Sequence, residues 1–192
     1  MSELKSDKLS PRTSSGTVVL GTSGDTFEVP SGVTLTNNGT ANGFGVSNEG
    51  VAVHLSADVS LTRNVRTKVE FDVEDYDPEG WFDSTTNYRF QPDVSGAYFI
   101  DACLLHGNGT GADNIAMYIY KNGAEVFSNQ VFQASGTIGA MHSSGIVSLN
   151  GSSDYVEIYT MGTSSALGIT LDANGWNATN TTECRMSAMR LT

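Results

Sequence analysis

The 192-residue chain has little cysteine, little positive charge and no long apolar run, and each shortage removes a class of function. Two cysteines, Cys103 and Cys184, cannot build a disulfide framework, and their separation matches no metal-ligand spacing, so reduced, buried thiols are expected. Ten basic against 21 acidic residues give a formal charge of −11, which repels a phosphate backbone and argues against a nucleic-acid partner. No window approaches the roughly eighteen consecutive apolar residues of a membrane span. The polar start MSELKSDKLSPRTSSG also lacks the apolar core of a signal peptide, so assembly in a cytosol without membrane insertion is expected.

Marked chemistry is missing too. His54, His106 and His142 lie far apart with no carboxylate or cysteine at ligand spacing, and read as structural or surface residues. No Gly-x-Ser-x-Gly elbow marks a nucleophile. Gly107-Asn108-Gly109-Thr110-Gly111 lacks the lysine and following helix of a phosphate loop, and reads as a turn. Neither an enzyme activity nor a cofactor is expected.

What is present is a β-rich composition. Apolar residues make up 39% of the chain, enough for a core, while 21 glycines and abundant Ser, Thr and Asn suit many short strands joined by turns. No helical period is sustained, and the fold class expected is all-β. Strand candidates are Val51 to Leu55, Val69 to Val73, Tyr88 to Phe90, Ala97 to Leu105, Ile115 to Tyr120, Glu125 to Phe132, Gly145 to Leu149, Tyr155 to Thr160 and Cys184 to Leu191. Asp77-Pro78-Glu79-Gly80 reads as a turn, with Pro presetting φ and Gly free to take φ > 0. In Lys121-Asn122-Gly123-Ala124, Asn-Gly supplies the two positive φ angles of a primed hairpin turn.

Three segments follow one another. Residues 1–15 read as a polar, flexible attachment peptide, with a frayed terminus as the alternative; Leu4, Leu9 and Arg12 are its candidate anchors on a partner. Residues 16–46 hold strand fragments of three to five residues closed by Gly, Pro or Asn-Gly. Such a segment cannot bury a core alone and needs copies of itself or another chain. Residues 47–192 read as one β-sandwich. Within it Trp81 reads as a core plug beside Phe82. Trp176 stands in a polar loop with Asn174 and Asn177, a flat apolar surface among amide donors that suits sugar or peptide recognition; anchoring the loop is the alternative.

The order of motifs carries a resemblance. An alternating strand leads to an acidic turn, Trp81-Phe82-Asp83, Tyr88-Arg89-Phe90 before Pro92, and Gly96-Ala97-Tyr98-Phe99-Ile100. Tyr120-Lys121-Asn122-Gly123, Asp154-Tyr155-Val156 and a closing strand from Cys184 to Leu191 follow. Over about 140 residues this resembles the complement-component-1q-like globular head and its tumour-necrosis-factor relatives. Ser153, where the family has Gly, and a final strand with Met186 and Met189 in place of Phe are departures. The resemblance implies a jelly-roll head in which the strand Ala97 to Leu105 lies along a threefold axis. That strand is apolar on both sides, so self-association would supply its second cover. Phe99, Cys103, Leu105, Tyr118 and Tyr120 are the interface candidates of the implied homotrimer.

In this fold the strand of Cys103 also lies beside that of Cys184, which leaves a disulfide as the alternative to free thiols. Relatives sometimes bind Ca²⁺ through loop carboxylates, making Asp75, Asp77 and Glu79 the weak candidates. Their spacing is not that of a known calcium loop, and a solvated acidic turn is expected instead.

Lys8 to Thr13 and the Gly/Thr-rich segment after it resemble the short shafts and collars of phage virion fibres. The reading is therefore a non-enzymatic phage virion structural protein, assembled in the host cytoplasm. Its N-terminus would attach to the particle, a short β shaft would follow, and a trimeric jelly-roll head would meet a host-surface glycan or protein. A capsid decoration or collar protein without receptor binding, or an exported bacterial adhesin module, are the alternatives.

Overall fold

The computed structural model describes residues 17, 19, 22–26, 28–34, 36, 49–107, 113–134, 138–163, 170–173 and 184–191. The chain divides into two units, Met1–Val46 and Ser47–Thr192. In the first, Asp25 N–H donates to the Thr22 carbonyl at 3.0 Å and Val33 N–H to that of Pro30 at 3.1 Å, closing two turns. Gly24 (φ 95°) and Gly32 (φ 85°) occupy their third positions, where type II turns need positive φ. Among the described residues of this unit none is in a strand, and Val19, Val29 and Val33 are exposed. Val18, Leu20, Phe27 and Leu35, the other apolar members of the expected strand fragments, lie outside the described residues.

Among its described residues the second unit holds thirteen strands. They are β1 (Gly50–His54), β2 (Val59–Ser60), β3 (Thr67–Lys68), β4 (Val73–Tyr76), β5 (Phe82–Asp83), β6 (Arg89–Phe90), β7 (Ser95–Gly107), β8 (Asp113–Lys121), β9 (Ala124–Gln133), β10 (Ile138–Asn150), β11 (Val156–Gly162), β12 (Thr170–Leu171) and β13 (Arg185–Leu191). The first sheet runs β2-β12-β7-β13-β1-β4, with β10 on the other edge of β7. The second runs β5-β6-β11-β8-β9, with β3 also on β11. All the strand pairs are antiparallel.

The core lies between the sheets because side chains alternate across each strand. From β7 come Tyr98, Ile100, Ala102 and Leu104, met from the second sheet by Ile115, Met117, Ile119, Val156 and Ile158. Trp81, Phe90 and Tyr98 close one end edge to face, with centroids 5.4–6.1 Å apart. Their polar atoms stay satisfied: Trp81 Nε1–H donates to Asp93 Oδ1 at 2.7 Å, and the Tyr98 hydroxyl to the Val94 carbonyl at 2.6 Å. Trp81 is thus the core plug that the sequence suggests.

The turns carry out their expected geometry. Asn122 (φ 52°) and Gly123 (φ 76°) make the primed hairpin. Gly80 has φ 69°, and the Asp77 carboxylate accepts the amides of Trp81 (2.9 Å) and Phe82 (2.8 Å). One strand expectation needs correction. Val69 to Val73 is not a single strand: Thr67–Lys68 pairs with β11, Val73–Tyr76 pairs with β1, and the stretch between carries the chain from one sheet to the other. Buried Val69 and Phe71 keep the alternation through this crossing, so the period reported burial and not pairing. β10 is also longer than Gly145 to Leu149, because polar His142, Ser143 and Ser144 continue the ladder with β7.

Two predictions arise from this framework. Gly151 has φ 69°, and a Cβ there would come within 2.2 Å of Ser95 N. Left-handed strain and overpacking against backbone add, so Gly151→Ala costs about 2–4 kcal/mol of unfolding free energy, read by urea titration. His106 is fully buried between the sheets, its Nε2 2.8 Å from Thr160 Oγ1. Burial disfavours the imidazolium and lowers its pKa from 6.5 to about 4. The unfolded chain therefore binds the extra proton first: this contribution to stability is intact above pH 6.5 and declines as pH falls toward about 4. His106→Gln flattens the dependence of Tm on pH across that interval.

Candidate interaction surfaces

The outer side of the first sheet carries residues that alternate with the core. Across β10, β7 and β13, Ile146 stands opposite Phe99 and Phe99 opposite Met189, with Leu191 opposite Ala97 two pairs along. Ile146 is 59% exposed, Met189 56% and Phe99 38%. They make one apolar row over three hydrogen-bonded strands, a contiguity that scattered surface apolars lack.

Two residues further along the same strands the surface turns polar. Asp101 Oδ1 lies 2.6 Å from His142 Nε2, His54 Nδ1 lies 2.8 Å from Asp75 Oδ2, and Arg185 stands between Cys103 and His54 in the ladder. The apolar row thus has a charged border on one side.

β9, the edge strand of the other sheet, also exposes Val126, Val131 and Phe132, Phe132 by 66%, with Val131 and Phe132 on opposite sides of the strand. Beside them the Phe127 ring lies on Gly145 so closely that a Cβ there would come within 2.4 Å of it. The lack of a side chain at 145 lets the ring close that edge of the sandwich.

The outer side of the second sheet is aromatic and internally paired. Tyr120 stacks on Tyr159 at 4.6 Å, and Tyr118 meets Tyr120 edge on. The Arg66 guanidinium lies 3.9 Å from the centroid of the Tyr118 ring, contacts the Tyr120 hydroxyl and pairs with Glu125 at 2.8 Å. Arg66 precedes β3 and Glu125 belongs to β9, so one side chain straps the sheet from edge to edge.

No family model and no curated protein matches the sequence. Solved structures do match. The globular domain of zebrafish complement 1qA aligns with a TM-score of 0.54 at 11% identity, covering 75% of this chain and 98% of that one. Murine APRIL at pH 5.0 aligns with a TM-score of 0.52 at 11% identity, covering 74% of this chain and 98% of that one. The described residues of the second unit thus have a C1q/TNF-like jelly-roll fold.

Within the jelly-roll head the five interface candidates separate. Phe99 and half-buried Cys103 share the outer side of the first sheet. Leu105 has the same parity but belongs to the core cluster at the strand end, where Asp172 donates its amide to the Leu105 carbonyl. Tyr118, buried under Arg66, and half-buried Tyr120 lie on the other sheet. They do not form one surface. Ile146, Met189 and Leu191 are the neighbours that sequence reasoning missed, and the two-sided test applied to β7 would have found them on β10 and β13.

Ladder pairing of Cys103 with Arg185 puts Cys184 one position away, and parity turns its side chain into the core while Cys103 faces outward. Both are thiols. Of the acidic candidates Asp75 bonds His54 and Asp77 holds the amides of Trp81 and Phe82; among the described residues no group of three or more His, Cys, Asp or Glu is arranged for a metal ion. Asn174, Trp176, Asn177, Leu4, Leu9 and Arg12 lie outside the described residues.

The strap makes a direct prediction. Arg66→Ala removes the cation–π contact and the ion pair with Glu125 together, and lowers unfolding free energy by about 1–2 kcal/mol in a denaturant titration; Arg66→Lys recovers only part, because an ammonium cannot lie flat over both tyrosines.

Proposed function

We propose that this chain is a non-enzymatic virion structural protein, a fibre-like appendage whose jelly-roll heads associate as a homotrimer to meet a host surface. The observation that carries the reading is the apolar row Ile146–Phe99–Met189 with Leu191 beside it. Full burial of such a side chain is worth about 1.5–3 kcal/mol, and several are left partly wet in one protomer. Three further points support it. The row lies on the sheet that runs along the threefold axis in the family the head resembles. The β9 edge exposes further apolar side chains on the other sheet; a contact between unlike surfaces can close into a ring, whereas a patch meeting itself gives a dimer. Val19, Val29 and Val33 of the N-terminal unit are exposed as well, as in a shaft that needs other chains to cover it.

The division of labour then follows the chain. The polar N-terminal peptide attaches to the particle, the Gly/Thr-rich segment forms the shaft, and the head works by binding. A charge of −11 per copy keeps closely spaced copies soluble and repelling.

The test is oligomeric state and accessibility together. Light scattering on dilute wild-type protein gives the trimer mass, and Phe99→Asp with Met189→Lys gives a folded monomer with unchanged far-UV circular dichroism. Iodoacetamide then modifies Cys103 at least tenfold faster in the variant than in the trimer. A well-folded wild-type monomer at micromolar concentration sinks the reading. The virion role is tested on particles: deleting residues 47–192 lowers adsorption to host cells, and unchanged adsorption removes the adhesion part.

A further inference from the structure

A hollow of about 270 Å³ opens between the β5–β6 hairpin, the segment leading into β7 and the β10–β11 loop. Asp83, Asn87, Arg89, Gln91, Asp93 and Ser152 line it. Asp83 is used up in holding the hairpin, whereas Asn87, Arg89, Gln91 and Asp93 are each held at one end and keep other polar atoms. The Asp83 carboxylate is filled by the amides of Thr85 (3.1 Å), Thr86 (2.9 Å) and Asn87 (3.1 Å) and by Asn87 Nδ2 (2.6 Å), which keep its pKa far below the usual range and fix the hairpin. Asn87 spends its Nδ2 there and keeps its Oδ1; Gln91 spends its Nε2 on the Ser152 carbonyl at 3.0 Å and keeps its Oε1. Asp93 gives Oδ1 to the Trp81 indole and keeps Oδ2. Arg89 rests its guanidinium on the Tyr155 ring, 4.4 Å from the centroid, and among the described residues no carboxylate or carbonyl accepts from it.

The hollow therefore combines rigid acceptors on Asn87, Gln91 and Asp93 with the several donors of Arg89. An anion would meet the Asp83 and Asp93 charges, and a cation would meet Arg89. A group that both donates and accepts satisfies the whole set, and neighbouring hydroxyls on one ring do so at this size. We propose that this hollow binds a neutral, polyhydroxylated ligand, one sugar ring of a host-surface polysaccharide. The proposal rests on the adhesion reading above and gives it a site. Its lining comes from the β5–β6 hairpin, the segment entering β7 and the β10–β11 loop, and includes none of Ile146, Phe99, Met189 and Leu191 and no residue of β9.

The Trp81 indole N–H, bonded to Asp93, is a built-in reporter. In the full-length assembled protein, with the Trp176→Phe variant assigning the two indole signals, titration with neutral methyl hexopyranosides and neutral oligosaccharides shifts the Trp81 N–H resonance. Acidic sugars shift it at least tenfold more weakly. Arg89→Ala and Asp93→Asn each weaken the neutral-sugar response tenfold or more, the second while keeping the indole bond through Oδ1 and hence the fold. No shift with any neutral sugar, a preference for acidic ones, or unchanged binding in both variants overturns the proposal. Virions carrying either substitution that adsorb like wild type, while head-deleted virions do not, overturn the hollow and leave adhesion standing; head-deleted virions that adsorb normally overturn both.

Discussion

The two-sided hydrogen bonding of β7 is the constraint to which the rest of the head is referred. Its thirteen residues pair along their whole length with β10 on one edge, and residues 97–103 and 106–107 pair with β13 and β12 on the other. A strand fixed on both edges cannot slip by one residue without sending Tyr98, Ile100, Ala102 and Leu104 out of the core and Phe99 and Asp101 into it. Burial of the even positions sets the register, and the register then dictates what the odd positions present outside.

That coupling explains why the outer surface of the first sheet is layered. Phe99 meets Ile146 and Met189 in one row, and Asp101 and Cys103, two and four residues on, meet serines, His142 and Arg185. An apolar row beside a charged border is a surface with an orientation. Apolar area supplies affinity without direction, and charges that must be matched or left wet limit how a second copy can sit. The aromatic surface of the second sheet is different in kind, because Arg66 and Glu125 already satisfy it within one chain.

Much of the fold was legible in the residues. Asn122-Gly123 specified its hairpin because positive φ at both positions leaves few alternatives, and Trp81-Phe82 read as core because an acidic turn with Pro and Gly delivers them there. The limits of legibility were also physical. Val69 and Phe71 alternate like a strand but carry the chain between sheets, since period two follows burial whichever sheet supplies the hydrogen bonds. His142, Ser143 and Ser144 fell outside the strand candidate Gly145 to Leu149, yet they continue the ladder along the rest of β7. Leu105 and Tyr118 had the parity of surface residues, and only the tertiary structure covers them: Leu105 joins the core cluster at the strand end, and the Arg66 side chain, 52 positions away in sequence, lies over the Tyr118 ring.

By itself the sequence determined the all-β class, the turn positions, the inner side of the central strand and the absence of any marked catalytic constellation, because these depend on spacing and side-chain chemistry within short windows. Tertiary structure alone decided which outward residues adjoin: that Ile146, Phe99 and Met189 become one row, that Cys103 and Cys184 face opposite ways, and that Asp93 and Arg89 border one hollow. Adjacency across strands depends on register between segments tens of residues apart, and register is settled only when the whole core is packed.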